Sequence, residues 1–516
     1  MADIFVKCWR NATVVHSVTT EERSAMQDTT PIERIVESYG PRFTRLSDEI
    51  WDDPQLRWQE YGSMAKQIEA AEEHGFRIER EAGGIPTAFF AEKGEGGPVI
   101  AFLGEYDALA GLSQASGVAS PTPNPETANT NGAGCGHNLL GSGSLLAAAA
   151  AAAYLEQQGL PGRVRYYGCP AEEAAAGKTF MVQGGAFEGV DGAVSWHPAP
   201  VMTATQILTL AYAQVSFRYT GVAAHAGADP AHGRSALDAV ELLNVGVNFL
   251  REHMPDTARV HYAITDAGGD SPNVVQAHAS AYYVVRANTV GEMRELYERV
   301  VKIAQGAALM TETTLEIDFD GACAEILPNV TLERALQANV ESIGGVPFDD
   351  ADRELAAAFT ATVPEREVVG MRRFLGLPAG AVLHDGVLPL GNPNQRQQMT
   401  GSTDVGDVSW TVPTVQITGA TAAIGTPAHS WQMVAQGKLP AAHKGMLHAA
   451  KAMAATAIDL FTDPELLAAA RAEFDGIIAE TPYDCPIPEG VVAPPLRAGN
   501  EAHVIASDHA ERALIG

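Results

Sequence analysis

The chain has 516 residues, with 34 Lys and Arg against 63 Asp and Glu, a formal charge of −29. So negative a surface repels phosphate backbones and sets nucleic acid aside as a partner. With 46% hydrophobic and 19% charged residues, the chain can build a large core and is no disordered acidic polymer.

At roughly 150 residues per domain, the length suggests two or three units. Residues 1–30 show little pattern and read as an extension, with Met26 as an alternative start and no apolar core of a secretory signal. Apolar residues recur at helical spacing from 32 to 50, with an interruption at Gly40-Pro41. A second helix is expected over 62–73. The apolar run 98–104, bounded by Gly and acidic residues, reads as a buried strand. The alanine run 145–155 falls short of the roughly 18 residues of a membrane span and reads as a buried helix. Strands at 163–168 and 190–196 follow, and strands alternating with helices predict an α/β unit with a mostly parallel sheet.

Near residue 208 the pattern changes. A long alternating strand at 211–219 precedes a helix at 236–251, strands at 260–265 and 279–286, a helix at 290–310 and a strand at 314–319. That order is a split βαβ, ferredoxin-like α+β arrangement. The α/β pattern resumes after Pro328. The expected division is an extension (1–30), a first domain in two parts (31–207 and 327–470), an inserted domain (208–326) and a tail (471–516). Five scattered cysteines, Cys8, Cys135, Cys169, Cys323 and Cys485, are not a disulfide framework and suit a reducing cytoplasm.

Four segments put ligand-type side chains beside predicted strand ends: Gly134-Cys135-Gly136-His137-Asn138, Pro170-Ala171-Glu172-Glu173, Ser195-Trp196-His197-Pro198 and Pro427-Ala428-His429-Ser430. In an open α/β sheet the carboxyl ends of the strands form the ligand crevice. Cys135, His137, Glu173, His197 and His429 offer sulfur, nitrogen and oxygen donors suited to zinc, with manganese or cobalt as alternatives. Five ligands exceed one closed site, and two metals sharing a bridging group account for the surplus. Each piece alone is weak: a lone loop histidine is more often no ligand, and a Cys-Gly-His triplet also fits a small buried thiol. A cysteine nucleophile at position 135 lacks a hydrolase signature around it. Adjacent glutamates permit one ligand and one base; Glu172 is assigned the base and Glu173 the ligand, although spacing alone does not order them.

Further runs join these: Gly-Glu-Tyr-Asp-Ala-Leu at 104–109, Ala-His-Ala-Gly at 224–227, Pro-Asn-Val-Val at 272–275, Gly-Ser-Thr-Asp-Val-Gly-Asp-Val-Ser-Trp at 401–410 and Gly-Thr-Pro-Ala-His-Ser-Trp at 425–431. With them the chain resembles the binuclear zinc aminoacylase and carboxypeptidase G type of metallopeptidase, in its amidohydrolase branch. The resemblance spans residues 51–453. It implies the ligand set above, Glu172 as base, and an inserted domain that is a lid and dimerises. It also implies that His225 reaches the partner subunit's site to stabilise an oxyanion. Asn273 and Arg286 match positions that bind a substrate carboxylate, and Gly401, Ser402 and Thr403 form a turn near the same end. Where many relatives carry a ligand histidine, Glu105 stands, and Asp107 is then expected to orient a ligand histidine. The loop 111–133, rich in proline, borders the site.

The expected function is metal-dependent hydrolysis of an amide in a small N-aroyl or N-acyl amino acid such as aminobenzoyl-glutamate, in a cytoplasmic homodimer that spans no membrane. The alternatives are another aryl amide, aryl amine or dipeptide, or a non-catalytic metal-binding subunit that works beside a sister subunit.

Overall fold

The computed structural model describes residues 29–127 and 129–493. The expected extension up to residue 28, with Cys8 and Met26, and the tail beyond residue 493 lie outside the described residues. Helix α1 (Thr30–Asp52) is continuous where the sequence predicted a break at Gly40-Pro41. Pro41 removes one N–H from the ladder, but Val36, Phe43 and Leu46 on the same helix are wholly buried. A Cβ on Gly40 would meet Leu447 Cδ2 at 2.8 Å, so the glycine lets two helices touch there. Packing overrides the local breaker.

Helix α2 (Tyr61–Glu73) leads to strands β1 (Arg77–Arg80), β2 (Phe89–Glu95) and β3 (Val99–Glu105). Then come α3 (His137–Gln158), β4 (Gly162–Cys169), the short α4 (Glu172–Ala175) and α5 (Gly177–Gln183). Strand β5 (Gly192–Ala199) and the two-residue β6 (Thr203–Ala204) and β7 (Ile207–Leu208) close the first part.

The inserted region runs β8 (Ala211–Thr220), α6 (Ala236–Leu250), β9 (Arg259–Asp266), β10 (His278–Ala287), α7 (Val290–Thr311) and β11 (Thr314–Cys323). Its four-stranded sheet has the order β11-β8-β10-β9 and is antiparallel throughout. Both helices start on side-chain caps, Ser235 accepting from Asp238 N and Thr289 from Glu292 N. In β10, alternation sends Ala281, Tyr283 and Val285 into the core beneath α6 and α7. The opposite face carries Tyr282 and Arg286. Tyr282 bonds Asp320, and Asp320 pairs with Arg57 of the first domain at 2.9 Å.

The first domain then resumes with α8 (Val330–Ile343), α9 (Asp350–Thr360), α10 (Glu365–Phe374), β12 (Gln397–Gln398) and α11 (Val405–Ser409). It ends with β13 (Thr414–Ala420), α12 (Trp431–Gln436), α13 (Pro440–Thr462) and α14 (Pro464–Glu480). The large sheet has the order β1-β2-β4-β3-β5-β13-β6. Strands β4, β3, β5 and β13 are mutually parallel, β2 is antiparallel to both β4 and the edge strand β1, and the other edge, β6, is antiparallel to β13. Period-2 alternation splits β3 between two cores: Ile100 and Phe102 pack with α1, α3 and α13, while Val99, Ala101 and Leu103 join the core shared with the insertion. A sheet covered on both faces explains why β3 reads as an unbroken apolar run.

Helix α3 is, among the described residues, the one helix long and apolar enough to cross a membrane, yet 94% of its most apolar window is buried inside the protein. Small residues permit this. A Cβ on Gly143 would meet Trp196 Cζ2 at 2.8 Å and Met446 Cγ at 3.0 Å.

The expected tail boundary at 470/471 falls inside α14. Beyond it, residues 481–493 form a strap that the sequence left unread. Tyr483 donates to Asp407 Oδ1 at 2.8 Å, Asp484 pairs with Arg294 of α7, and Ile487 is buried in the shared core.

Candidate metal centre and hydrolytic site

The carboxyl ends of the parallel strands carry the site, as an open α/β sheet dictates. Asp107 follows β3, Glu172 and Glu173 open the turn after β4, and His197 lies on β5. His429 comes after β13, with its backbone N–H on Gly134 O at 3.0 Å. Cys135 and His137 sit at the start of α3. The glutamate turn is held by force. Ala171 (φ 55°) and Ala176 (φ 60°) flank α4 in the left-handed region, as does His429 (φ 52°). Ala171 N donates to buried Glu60 Oε1 at 2.9 Å, and Glu173 N donates to Asp107 Oδ2 at 2.8 Å. These two carboxylates fix the turn.

Asp107 Oδ1 also lies 2.8 Å from His137 Nδ1, the contact that an orienting residue makes. His197 is fixed the same way, Nδ1 to Pro198 O at 2.9 Å. Both contacts direct the Nε2 atoms inward, the orientation that metal ligation requires. His197 Nε2 lies 3.5 Å from Cys135 Sγ, and His429 Nε2 lies 3.3 Å from Glu173 Oε1.

Three groups have their ligand atoms within 4.8 Å of one another, Cys135/His137/His197, Cys135/Glu173/His429 and Glu105/His137/Glu172, and the first two hold the expected ligands. Those two share Cys135. Zinc bonds of about 2.0–2.3 Å place two ligands of one ion about 3.0–3.6 Å apart, which matches the close pairs. Buried His137 Nε2 and Glu173 Oε1 have no hydrogen-bond partner. Buried polar atoms without partners are costly, and a divalent cation satisfies these. The donor set fits two such ions.

Burial, reinforced by the Glu105 and Glu173 carboxylates, pushes the Glu172 carboxyl well above its ordinary range. Burial and Glu173 likewise push the Cys135 thiol up. So many acids in one pocket call for cations to balance them. One is built in. Lys178, wholly buried on α5, sits 2.6 Å from Glu105 Oε1 and 2.6 Å from Asp404 Oδ1. Burial opposes its charge, but the Asp404 and Glu105 carboxylates more than offset this and hold the ammonium well above its usual range. Sequence reasoning missed Lys178, Asp404's part in this network and Glu60; the only signal was a lone lysine five residues past the paired glutamates.

The residues assigned by resemblance fall in two places. His225 is exposed in the loop after β8, its Nδ1 accepting from Gly227 N at 3.1 Å and Ala228 N at 3.0 Å, which leaves the proton on Nε2. Asn273 is exposed on the adjoining loop, its carbonyl accepting from Ala226 N at 2.9 Å. Neither joins the metal cluster within the chain. Arg286 and the 401–403 turn do meet, Arg286 Nη1 donating to Ser402 Oγ at 2.7 Å, with Gly401 O accepting from Leu210 N at 3.0 Å. Thr403 Oγ1 accepts from Val405 N at 3.3 Å. The Arg286 guanidinium lies 5.3 Å over the ring of Tyr212, a residue unread in the sequence whose hydroxyl is pushed up by burial and, among its neighbours, by Cys323, Asp404 and Glu172.

Sulfur, nitrogen and carboxylate donors paired with an adjacent glutamate define the class of metallohydrolases. Comparison with known proteins narrows it: residues 101–432 match peptidase family M20/M25/M40, and the chain belongs to that family. It is a hydrolase of amide bonds. Over 478 residues the chain is 46% identical to one of the subunits of the p-aminobenzoyl-glutamate hydrolase of Escherichia coli (strain K12), covering 90% of this chain and 98% of that protein. It is 31% identical to the Xaa-Arg dipeptidase of Mus musculus, covering 86% of this chain and 90% of that one. An aminohydrolase from methicillin resistant Staphylococcus aureus shares the fold, with a TM-score of 0.58 at 15% identity over 84% of this chain and 99% of its own.

Proposed function

We propose that the protein hydrolyses the amide bond of an N-aroyl or N-acyl amino acid, with aminobenzoyl-glutamate as the first substrate to test. The observation that carries this reading is the split of the paired glutamates. Glu173 lies against His429, while Glu172 reaches toward His137 Nε2, 3.9 Å away, on the other side of the cluster. Bound at Cys135, His137, Glu173, His197 and His429, two divalent ions supply Lewis acidity toward water and the amide carbonyl. Zinc suits the thiolate and imidazoles best, with manganese and cobalt as alternatives. Glu172 takes a proton from the attacking water and returns it to the leaving amine. Arg286, supported by Ser402, holds the substrate carboxylate with Asn273, since a planar guanidinium matches a carboxylate.

His225 completes the site from a neighbouring copy of the chain. Its Nε2–H is exposed, and its loop is braced by the Asn273 loop, which suits a donor offered across a lid-mediated homodimer to the developing oxyanion. The similar Escherichia coli protein is named as one subunit of a hydrolase, so a sister subunit is the other partner to test. The four described cysteines are all free, which suits a reducing cytoplasm.

The test is release of aminobenzoate by the purified protein, with metal content read by elemental analysis. Glu172→Gln is expected to lower turnover by about 10²–10⁴-fold with metal content intact. Full activity after chelation, or unchanged turnover in the variant, refutes the reading. The similarity to a dipeptidase favours a second substrate class, so the panel includes dipeptides.

A further inference from the structure

Arg57 has no role in the scheme above, yet the loop that carries it braces the site from two sides. Gln55 O accepts from Ala108 N at 2.8 Å, beside the Asp107 that orients His137. Glu60 Oε1 accepts from Ala171 N at 2.9 Å, at the head of the glutamate turn. Trp58 packs edge-on against Phe180 of α5, with ring centroids 5.8 Å apart. Between these braces Arg57 reaches out of the first domain, its Nη1 2.9 Å from Asp320 Oδ2 of the insertion.

Two departures from regular backbone build this ion pair. In β11, Phe319 opposes Val215 of β8 and Gly321 opposes Gln214, so Asp320 is the extra residue of a bulge. A bulge re-aims a side chain, and here it brings Asp320 to Tyr282, whose hydroxyl contacts both Asp320 and Gln214. On the other side Trp58, next to Arg57, has φ 64°. Bulky residues avoid that left-handed conformation, and it persists mainly where function needs it. The Asp320 side chain is 3% exposed and that of Arg57 24%. Desolvating such a pair offsets much of its attraction, and the best-attested use of buried ion pairs is to fix register.

The register in question is that of the substrate site. Arg286 lies one further turn of the alternation past Tyr282 and Val284, on the same face of β10 as Tyr282, whereas Glu172 lies on the turn that Glu60 braces. The two halves of the site thus belong to different domains, and the Arg57–Asp320 pair joins the loop supporting one half to the sheet face carrying the other. We propose that Arg57 and Asp320 are positioning residues that hold Arg286 at a fixed distance from the Glu172 turn, keeping the substrate's carboxylate and its amide in register; the proposal rests on the carboxylate-binding role given to Arg286 above. A misplacement of about 1 Å in such a site costs up to ~100-fold in rate.

The test is a kinetic cycle of wild type, Arg57→Ala, Arg286→Ala and the double variant on a substrate with a free carboxylate. Arg57→Ala is expected to lower kcat/KM by about 10–100-fold. Arg57→Lys is expected to recover part of the loss, because it restores the charge opposite Asp320. In the Arg286→Ala background the Arg57 change is expected to cost little more, since residues that act through one another are not additive. The same fold loss in both backgrounds, or wild-type kinetics in Arg57→Ala, overturns the proposal. If Arg57→Ala does not fold, Asp320→Asn, which keeps the shape, takes its place in the cycle. Wild type that hydrolyses no carboxylate-bearing amide overturns the functional reading, and hydrogen exchange then decides the clamp by itself. Arg57→Ala is expected to speed amide exchange in both 170–176 and 318–323, and exchange unchanged in either segment overturns it.

Discussion

Asp407 offers the sharpest test of the electrostatics behind the site. It is wholly buried on α11 and accepts from Thr179 Oγ1 at 2.7 Å, Ala324 N at 2.9 Å and Tyr483 OH at 2.8 Å. Burial outweighs these bonds and pushes its carboxyl from 3.8 up to about 7. The sign follows from linkage: between those values the native state keeps a proton that the unfolded chain has released. Stability is therefore fully present below about 4 and is lost as pH rises through about 7. At 1.36 kcal/mol per unit the whole loss is about 4 kcal/mol, of which about 3 kcal/mol falls between pH 5 and pH 8. Asp407→Asn has the same shape and no proton to lose. Urea unfolding at pH 5 and pH 8 should show wild type losing about 3 kcal/mol more than the variant. The comparison cancels the groups that do not face Asp407, since these titrate alike in both proteins. Equal losses in the two proteins would refute the reasoning.

Arg286→Ala should lower kcat/KM by about 10–100-fold, mainly through KM, since hydrogen bonds to a charged group contribute about 1.5–3 kcal/mol. Steady-state kinetics on substrates with and without a free carboxylate checks this, and an equal loss on both contradicts carboxylate binding. Gly143→Ala places a methyl 2.8 Å from Trp196 and should destabilise the fold by about 1–3 kcal/mol. Thermal melting reads the loss, and an unchanged melting temperature would show that the α3–β5 contact is looser than described.

Much of the architecture was legible because it rests on periodicity. The run 98–104 and the alternation at 211–219 are direct consequences of burial on two faces or one, and both became strands, β3 and β8. The ligand segments were legible because chemistry demands rare residue types together: Cys135, His137, His197, Glu173 and His429 do converge. The antiparallel strands β1 and β2 were unread, because β1 is only four residues, three of them charged, and β2 runs from apolar to charged with no sustained alternation. Gly40-Pro41 misled because a local breaker was weighed without the helices packed on it. Glu105 was noticed only as a departure, since its meaning depends on Lys178, 73 positions further on, and Asp404, far beyond that. Contacts of that sequence separation have no local signature.

Helix α3 has a consequence for synthesis. Its apolar surface is covered partly by α1, made before it, and partly by α13, which starts at Pro440. About 280 residues must therefore be translated after Gln158 before that cover exists, on the order of 15–60 s at ~5–20 residues per second. The intervening insertion has its strands and helices within 211–323. Throughout that interval the nascent chain carries a helix as apolar as a membrane span with one flank open. Exposed apolar surface invites aggregation, so the ribosome-bound intermediate, rather than the finished enzyme, is where chaperone cover is expected to matter most.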